Sequence, residues 1–303
     1  MDTFLIGLMA ATLRVATPLI FGTLGELFCE RAGILNLGIE GTLLFGSFVG
    51  FAAAGVTGSL WLGVLAALIA GGVCGLLMGL FTVTLGVNQH VSGLGITLLL
   101  TGLSYFAFRL IYGEQALPPS IQPFGTFSIF GSVPVLGAIF DQYLLTYVAF
   151  LVIPVVWWVV YRSNFGLQMR AVGENPEAAD AAGVNVYRTR YISLAIGGGL
   201  MAVGGAFLSL AQLGAFTFGI INGRGWVCIA LIIFGNWEPV KVMWGALLFG
   251  LVFALQLRLQ STGLQLPYEV FLALPYLVTI AVLALARRAT SVPSAILKPY
   301  KRE

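Results

Sequence analysis

Nine apolar stretches divide the chain, at roughly 4–28, 33–54, 60–85, 91–112, 141–161, 191–213, 222–236, 241–258 and 268–286. Most approach the length of about 20 residues that a helix needs to cross a bilayer. Backbone groups in lipid must find hydrogen-bond partners within the protein, so only helices and closed barrels span it. A barrel strand alternates apolar and polar residues, whereas a run such as Leu247–Phe253 contains no polar side chain. The pattern predicts an all-α, polytopic membrane protein with about nine transmembrane segments. Met1–Ala10 holds no Lys or Arg. It therefore lacks the basic start of a secretory signal and reads as the beginning of an uncleaved first span.

Composition sharpens this reading. Only 15 Lys or Arg and 12 Asp or Glu serve 303 residues, too few to clothe a water-soluble surface. A soluble enzyme, a disordered chain and a nucleic-acid binder are excluded. Cys29, Cys74 and Cys228 are far apart in apolar stretches and read as buried free thiols. With His90 the single histidine, no metal cluster and no cofactor site is expected. Basic residues mark the cytoplasmic side. Arg162, Arg170, Arg188 and Arg190 fall in one loop, and Arg287, Arg288, Lys298, Lys301 and Arg302 in the tail, while loop 113–140 has none. Loop 162–190 and the C-terminus are thus placed in the cytoplasm, and the 113–140 loop and the N-terminus outside.

Glycine spacing predicts close helix packing, since small residues let backbones approach in lipid. Gly71, Gly75 and Gly79 form one ridge and Gly46 with Gly50 another, while Gly197–Gly199 and Gly204–Gly205 permit a third approach. Gly33-Ile34-Leu35-Asn36 is echoed by Gly219-Ile220-Ile221-Asn222. Both put small and polar residues where a span should start, which predicts broken or re-entrant helices. The copies lie an odd number of segments apart, as in the inverted repeats of transporters.

Residues 173–183 read Gly-Glu-Asn-Pro-Glu-Ala-Ala-Asp-Ala-Ala-Gly. Asn175 is a suitable N-cap and Pro176 a suitable first helical residue. Glu174 and Glu177 lie at the positive end of the helix dipole, Asp180 follows in the helix, and Gly183 is a natural stop. The prediction is a short capped helix presenting Ala178, Ala179, Ala181 and Ala182. An ordinary surface helix and a docking helix for a cytosolic partner both fit these residues.

Glu177-Ala178-Ala179-x-x-x-Gly183 resembles the EAA-x3-G loop of ABC importer permeases, which forms the helix that contacts the ATPase. Glu30-Arg31-Ala32-Gly33-Ile34-Leu35-Asn36-Leu37-Gly38-Ile39-Glu40-Gly41 is similar to the signature of the branched-chain amino acid, ribose and nucleoside importer group. So are Ala171–Pro176 and the motifs Leu266-Pro267-Tyr268-Glu269 and Leu274-Pro275-Tyr276-Leu277. Within that group the chain looks most like the shorter permease of nucleoside importers. The resemblance covers nearly the whole chain. It implies a type II importer fold of inverted repeats in one permease domain over 1–303. The first repeat would span about 30–161, the coupling loop 162–190, the second repeat about 191–286 and the tail 287–303. It further implies a bacterial inner-membrane location and three kinds of partner: a longer homologous permease, a duplicated cytosolic ATPase and an extracytoplasmic substrate-binding lipoprotein. The implied solute is a nucleoside, with a simple sugar as the alternative.

The chain has no P-loop, since no Lys follows a Gly-rich run, so ATP must be hydrolysed by a separate subunit. The implied mechanism is alternating access. An ion-coupled secondary transporter would share the composition without needing the docking helix, and an intramembrane enzyme lacks the residues for it. Polar residues within spans carry a cost and suggest function. Asn36, Glu40, Asn88, Asn222 and Arg224 are the candidates for the translocation path. Glu40, one turn beyond Asn36, has an alternative reading as the partner of Arg14. His90 is read as an interfacial anchor or a gate. Glu26, Arg109 and Arg258 lie near span ends and are expected to reach for the interface.

Overall fold

The structure, a computed structural model, describes residues 2–113, 119–128, 137, 139–261, 268–285 and 292–300. Arg287, Arg288, Lys301, Arg302, Leu266 and Pro267 of the features above lie outside the described residues, as do the Tyr268 and Tyr276 side chains. The helices are α1 (Asp2–Arg31), α2 (Ile39–Thr57), α3 (Leu60–Gly79), α4 (Gln89–Tyr112), α5 (Leu144–Arg162) and α6 (Asn164–Glu174). They continue with α7 (Pro176–Ala181), α8 (Val186–Phe207), α9 (Arg224–Phe234), α10 (Pro239–Ser261) and α11 (Tyr268–Leu285). Leu80–Thr84 and Leu208–Leu213 extend α3 and α8 as π-helical turns. Three-residue strands β1 (Thr126–Ser128) and β2 (Asp141–Tyr143) pair antiparallel in the 113–143 connection.

Among the described residues, α1, α2, α3, α4, α5, α8 and α10 are long and apolar enough to cross a bilayer. The other two predicted segments contain α9 and α11. With 11 residues, α9 rises about 16 Å, roughly half of a 30 Å hydrocarbon core. The chain reaches it through the irregular segment 214–223, and α2 follows the irregular segment 32–38. Of the two elements predicted to begin as broken or re-entrant helices, both follow a non-helical stretch, but α2 then runs unbroken for 19 residues while α9 stays short.

The most enclosed span is α8, with 83% of its apolar window buried, against 22% for α4. Glycine explains the difference. A methyl group at Gly75 would collide with the Leu194 carbonyl, at Gly71 with that of Gly198, and at Gly46 or Gly205 with the backbones of α8 and α2. Backbone-to-backbone contact of this kind replaces the hydrophobic drive that helices lack in lipid. Buried hydroxyls turn inward: Thr12, Thr17 and Thr42 each donate to the carbonyl four residues earlier, at 2.8, 2.8 and 2.9 Å. The hydroxyls of Thr12 and Thr42 are thereby satisfied without a partner helix, while Thr17 Oγ1 also lies 3.1 Å from Thr146 Oγ1 on α5. The apolar faces of α3 and α4 point outward through Ile69, Val73, Leu98 and Phe106. Residues 292–300 pack onto α6 and α7, through Ala295 N to Gly173 O at 2.9 Å and Tyr300 Oη to Asp180 Oδ2 at 2.9 Å. The tail therefore lies on the same side of the bilayer as loop 162–190, as the charge pattern requires.

Candidate functional site

Two elbows and one carboxylate build the centre of the molecule. In the first elbow, between α1 and α2, Asn36 N donates to Glu26 Oε1 at 2.7 Å and Leu35 N to Gln89 Oε1 at 2.8 Å. Gln89 Nε2 returns a bond to Gly33 O at 3.2 Å, and Arg190 Nε donates to Ala32 O at 3.2 Å. These side chains supply the hydrogen-bond partners that buried non-helical backbone must have. Asn36 turns its own Oδ1 to Gly38 N at 3.0 Å, an Asx-type bond that shapes the turn.

The second elbow precedes α9. Gly219, Asn222 and Gly223 all have positive φ, of 75°, 49° and 80°. This left-handed conformation suits Gly and is tolerated by Asn. Glu40 spans the two elbows. Its Oε1 accepts from Gly223 N at 2.8 Å and its Oε2 from Gly225 N at 2.7 Å. A carboxylate thus occupies the amino end of α9, where unpaired N–H groups and the helix dipole favour negative charge. Arg224 Nη1 folds back onto the Ile220 and Ile221 carbonyls at 3.0 and 2.9 Å. Its guanidinium lies 5.5 Å from the Phe253 ring centre.

Several expectations need correcting. Glu40 does not pair with Arg14, which donates instead to Gln142 Oε1 at 3.2 Å and Asp141 O at 2.9 Å. The carboxylate is drawn to the α9 amides because a broken helix start offers two donors side by side. Asn36 does not share a helix face with Glu40, because it lies in the elbow and α2 begins only at Ile39. Glu26 does not reach for the interface; it is fully buried and serves the elbow. Ala179 is buried rather than presented at the surface, packed with Val172 and Val186.

Glu40, Asn222 and Arg224 come together. Asn36 belongs to the first elbow, and Asn88 lies apart from Glu40 as the exposed N-cap of α4, accepting from His90 N at 2.9 Å. Sequence reasoning gave no site role to Glu30, whose Oε2 accepts from Trp237 Nε1 at 2.5 Å, or to Arg190, Gln256 and Gln260, and read Gln89 with Asn88 and His90 only as a polar entry to the fourth span. The signal was available for Gln256, a polar residue inside an apolar segment, which is the same criterion that singled out Glu40.

In the 162–190 loop, Asn175 Oδ1 accepts from Ala178 N at 3.0 Å and caps α7, with Pro176 as its first residue. Gly183, at φ 86°, ends the turn, its N–H donating to Asp180 O at 2.8 Å. Glu174, Glu177, Ala178, Ala181 and Ala182 are exposed. Between α6 and α7 runs a groove of about 630 Å³ floored by Leu167, Ala171, Ala178 and Val184.

Comparison with known proteins agrees with this architecture. Residues 8–283 match the family described as "Branched-chain amino acid transport system / permease component". The "Putative glucose ABC transporter permease protein TsgC13" of Haloferax volcanii is 42% identical over 99% of both chains. The guanosine ABC transporter permease protein NupQ of Bacillus subtilis is 34% identical over 97% of this chain and 96% of its own. A second guanosine ABC transporter permease protein of that bacterium, NupP, is 27% identical over 79% of this chain and 70% of its own. No solved structure matches. A multi-pass helical chain with this end-to-end likeness belongs to the permease component family of ABC transporters.

Proposed function

We propose that this permease carries a nucleoside inward across a bacterial cytoplasmic membrane by alternating access, driven by a separate ATPase. The observation that carries the coupling half of this reading is the capped helix α7 beside its groove. Its outer face is small and nearly featureless, through Ala178, Ala181 and Ala182, so a partner's backbone can approach closely. Glu174, Asn175, Pro176, Glu177, Ala178, Ala179, Asp180 and Gly183 form this coupling element, with Ala179 anchoring it from beneath. The ATPase would be a pair of cytosolic subunits. The second permease would be a longer homologue, a reading supported by the two guanosine permeases of one bacterium. A lipoprotein would deliver solute to the face bearing β1 and β2, with the N-terminus outside and the tail in the cytoplasm. The sequence echo, and the matching elbows before α2 and α9, support two inverted repeats over about 30–161 and 191–286.

Asn36, Glu40, Asn88, Asn222 and Arg224 are assigned to the path. Glu40, Asn222 and Arg224 form its centre, while Asn36 and Asn88 flank the first elbow. Nucleoside transport is favoured by the named solute of NupQ. A simple sugar is the second reading, favoured by the 42% identity to a chain named for glucose. Reconstituted with its partners, the complex should take up guanosine on ATP addition, unaffected by ionophores. Ionophore-sensitive uptake without ATP would overturn the assignment. Glu177→Lys, or Gly183→Trp at its positive φ, should lower ATP-driven uptake at least tenfold while membrane insertion is retained. Normal uptake in both variants would refute the coupling role.

A further inference from the structure

A cavity of about 190 Å³ lies beside the Glu40 centre, bounded by α1, α9, α10 and α11. Its polar lining is Asn222, Arg224, Gln256 and Gln260, its aromatic wall Phe249 and Phe253, and Leu19 and Pro275 close it. Phe249, Phe253, Gln256 and Gln260 follow the i, i+4, i+7, i+11 spacing that puts residues on one helix face. The helix rises about 16 Å from the first to the last of them. The two rings lie nearly parallel, 22° apart with centres separated by 6.5 Å.

The carboxamides are the telling feature. Gln256 is only 3% exposed, yet its Oε1 has no hydrogen-bond partner, and neither does the buried Nε2 of Gln260. Leaving a buried polar group unpaired is costly, and buried polar groups are nearly always paired. One helix face therefore carries an unpaired acceptor and an unpaired donor about a turn apart, on two residues that line a cavity with an aromatic wall. A ligand must supply the complementary donor and acceptor and a flat apolar face. The edge of a nucleobase does both, because carboxamides pair with adjacent base donors and acceptors and bases stack on aromatic side chains. Arg224, engaged by the Ile220 and Ile221 carbonyls and near the Glu40 carboxylate, does not call for an anionic solute.

We propose that this cavity is a nucleoside-binding site within the single permease chain, with the base against Phe249 and Phe253 and its edge held by Gln256 and Gln260. The proposal rests on the transport reading above and adds the residues that recognise the solute. Binding of tritiated guanosine to the purified permease–ATPase complex, without the lipoprotein, tests it by equilibrium dialysis. The wild-type complex should bind guanosine, with adenosine competing and glucose not. Gln256→Leu and Gln260→Leu should each weaken binding about tenfold, the loss of one neutral hydrogen bond. Gln256→Met and Gln260→Met, which keep the side-chain length, replace them if a leucine variant does not assemble.

Unchanged affinity in the variants, or no binding to the wild type, would overturn the site. ATP-driven uptake of guanosine into proteoliposomes, measured alongside, separates the two claims. Uptake that persists while the variants bind normally removes the cavity and leaves the transport reading standing. ATP-driven uptake of glucose without guanosine removes the nucleoside reading and the site with it.

Discussion

Replacing Glu40 by glutamine changes one atom and probes the junction of the two elbows. Both carboxylate oxygens are used, at 2.8 Å to Gly223 N and 2.7 Å to Gly225 N. A carboxamide keeps one acceptor and turns an NH₂ toward the other amide, so one donor is met by another donor. Two effects add: loss of a charge-assisted bond, about 1.5–3 kcal/mol, and an unpaired buried N–H, about 1–3 kcal/mol. They overlap in part, since both count the same lost partner. A net cost of about 2–4 kcal/mol follows, equal to roughly a thirtyfold to nearly thousandfold increase in local opening at the start of α9. Hydrogen exchange by mass spectrometry on the reconstituted permease, read on peptides covering 219–228, should show faster exchange in Glu40→Gln. Peptides from α3, which does not touch this junction, should be unchanged and serve as the internal control. Glu40→Asp, shorter by one methylene, should also exchange faster because it cannot reach both amides. Equal protection at 219–228 in wild type and Glu40→Gln would refute the claim that the carboxylate holds this helix start.

Gly75→Leu, which drives a side chain into the Leu194 backbone, should abolish monodisperse expression in size-exclusion profiles. Gly102→Leu, with nothing within 4 Å of the new Cβ, should be tolerated; equal behaviour of the two would deny the α3–α8 contact its role. Tyr300→Phe removes the bond to Asp180, worth about 0.5–1.5 kcal/mol, and should speed amide exchange across 176–182; unchanged rates would mean the tail does not brace α7. Trp237→Phe leaves Glu30 Oε2 without its donor at a cost of about 1–3 kcal/mol. It should lower the melting temperature of the purified complex, and an unaltered melting curve would show that this bond is not needed.

The spans were legible because lipid imposes a length and forbids unpaired backbone, so apolar runs map onto helices with little room for alternatives. The α7 cap was legible for a similar reason: Asn175, Pro176 and Gly183 act on their immediate neighbours, and local chemistry needs no tertiary knowledge. Of the two readings the sequence leaves open for Glu40, the pair with Arg14 is not formed. Sequence shows that a buried carboxylate needs partners, yet it cannot show that the partners are main-chain amides 183 and 185 positions away. Backbone donors carry no letter in the sequence, so opposite charge at Arg14 looked like the only offer. Glu26 went astray by the same route, since its partner is the amide of Asn36.

The same fact gives the two elbows their meaning. Ordinary spans satisfy their backbones internally and make no demand on distant residues. Here, the irregular segments before α2 and α9 free amides and carbonyls inside the packed protein, and Glu26, Gln89, Arg190 and Glu40 each answer one or two of them. Every such bond crosses between segments, so the elbows cannot shift without exchanging partners. The first elbow touches the 162–190 loop and tail, where a methyl at Gly173 would strike the Arg31 carbonyl and one at Gly33 would meet Ala295. The second begins against the opposite connection, through Ile121 N to Gly214 O at 2.8 Å. Glu40, placed between them, binds the helix start on the far elbow while belonging to the helix that leaves the near one.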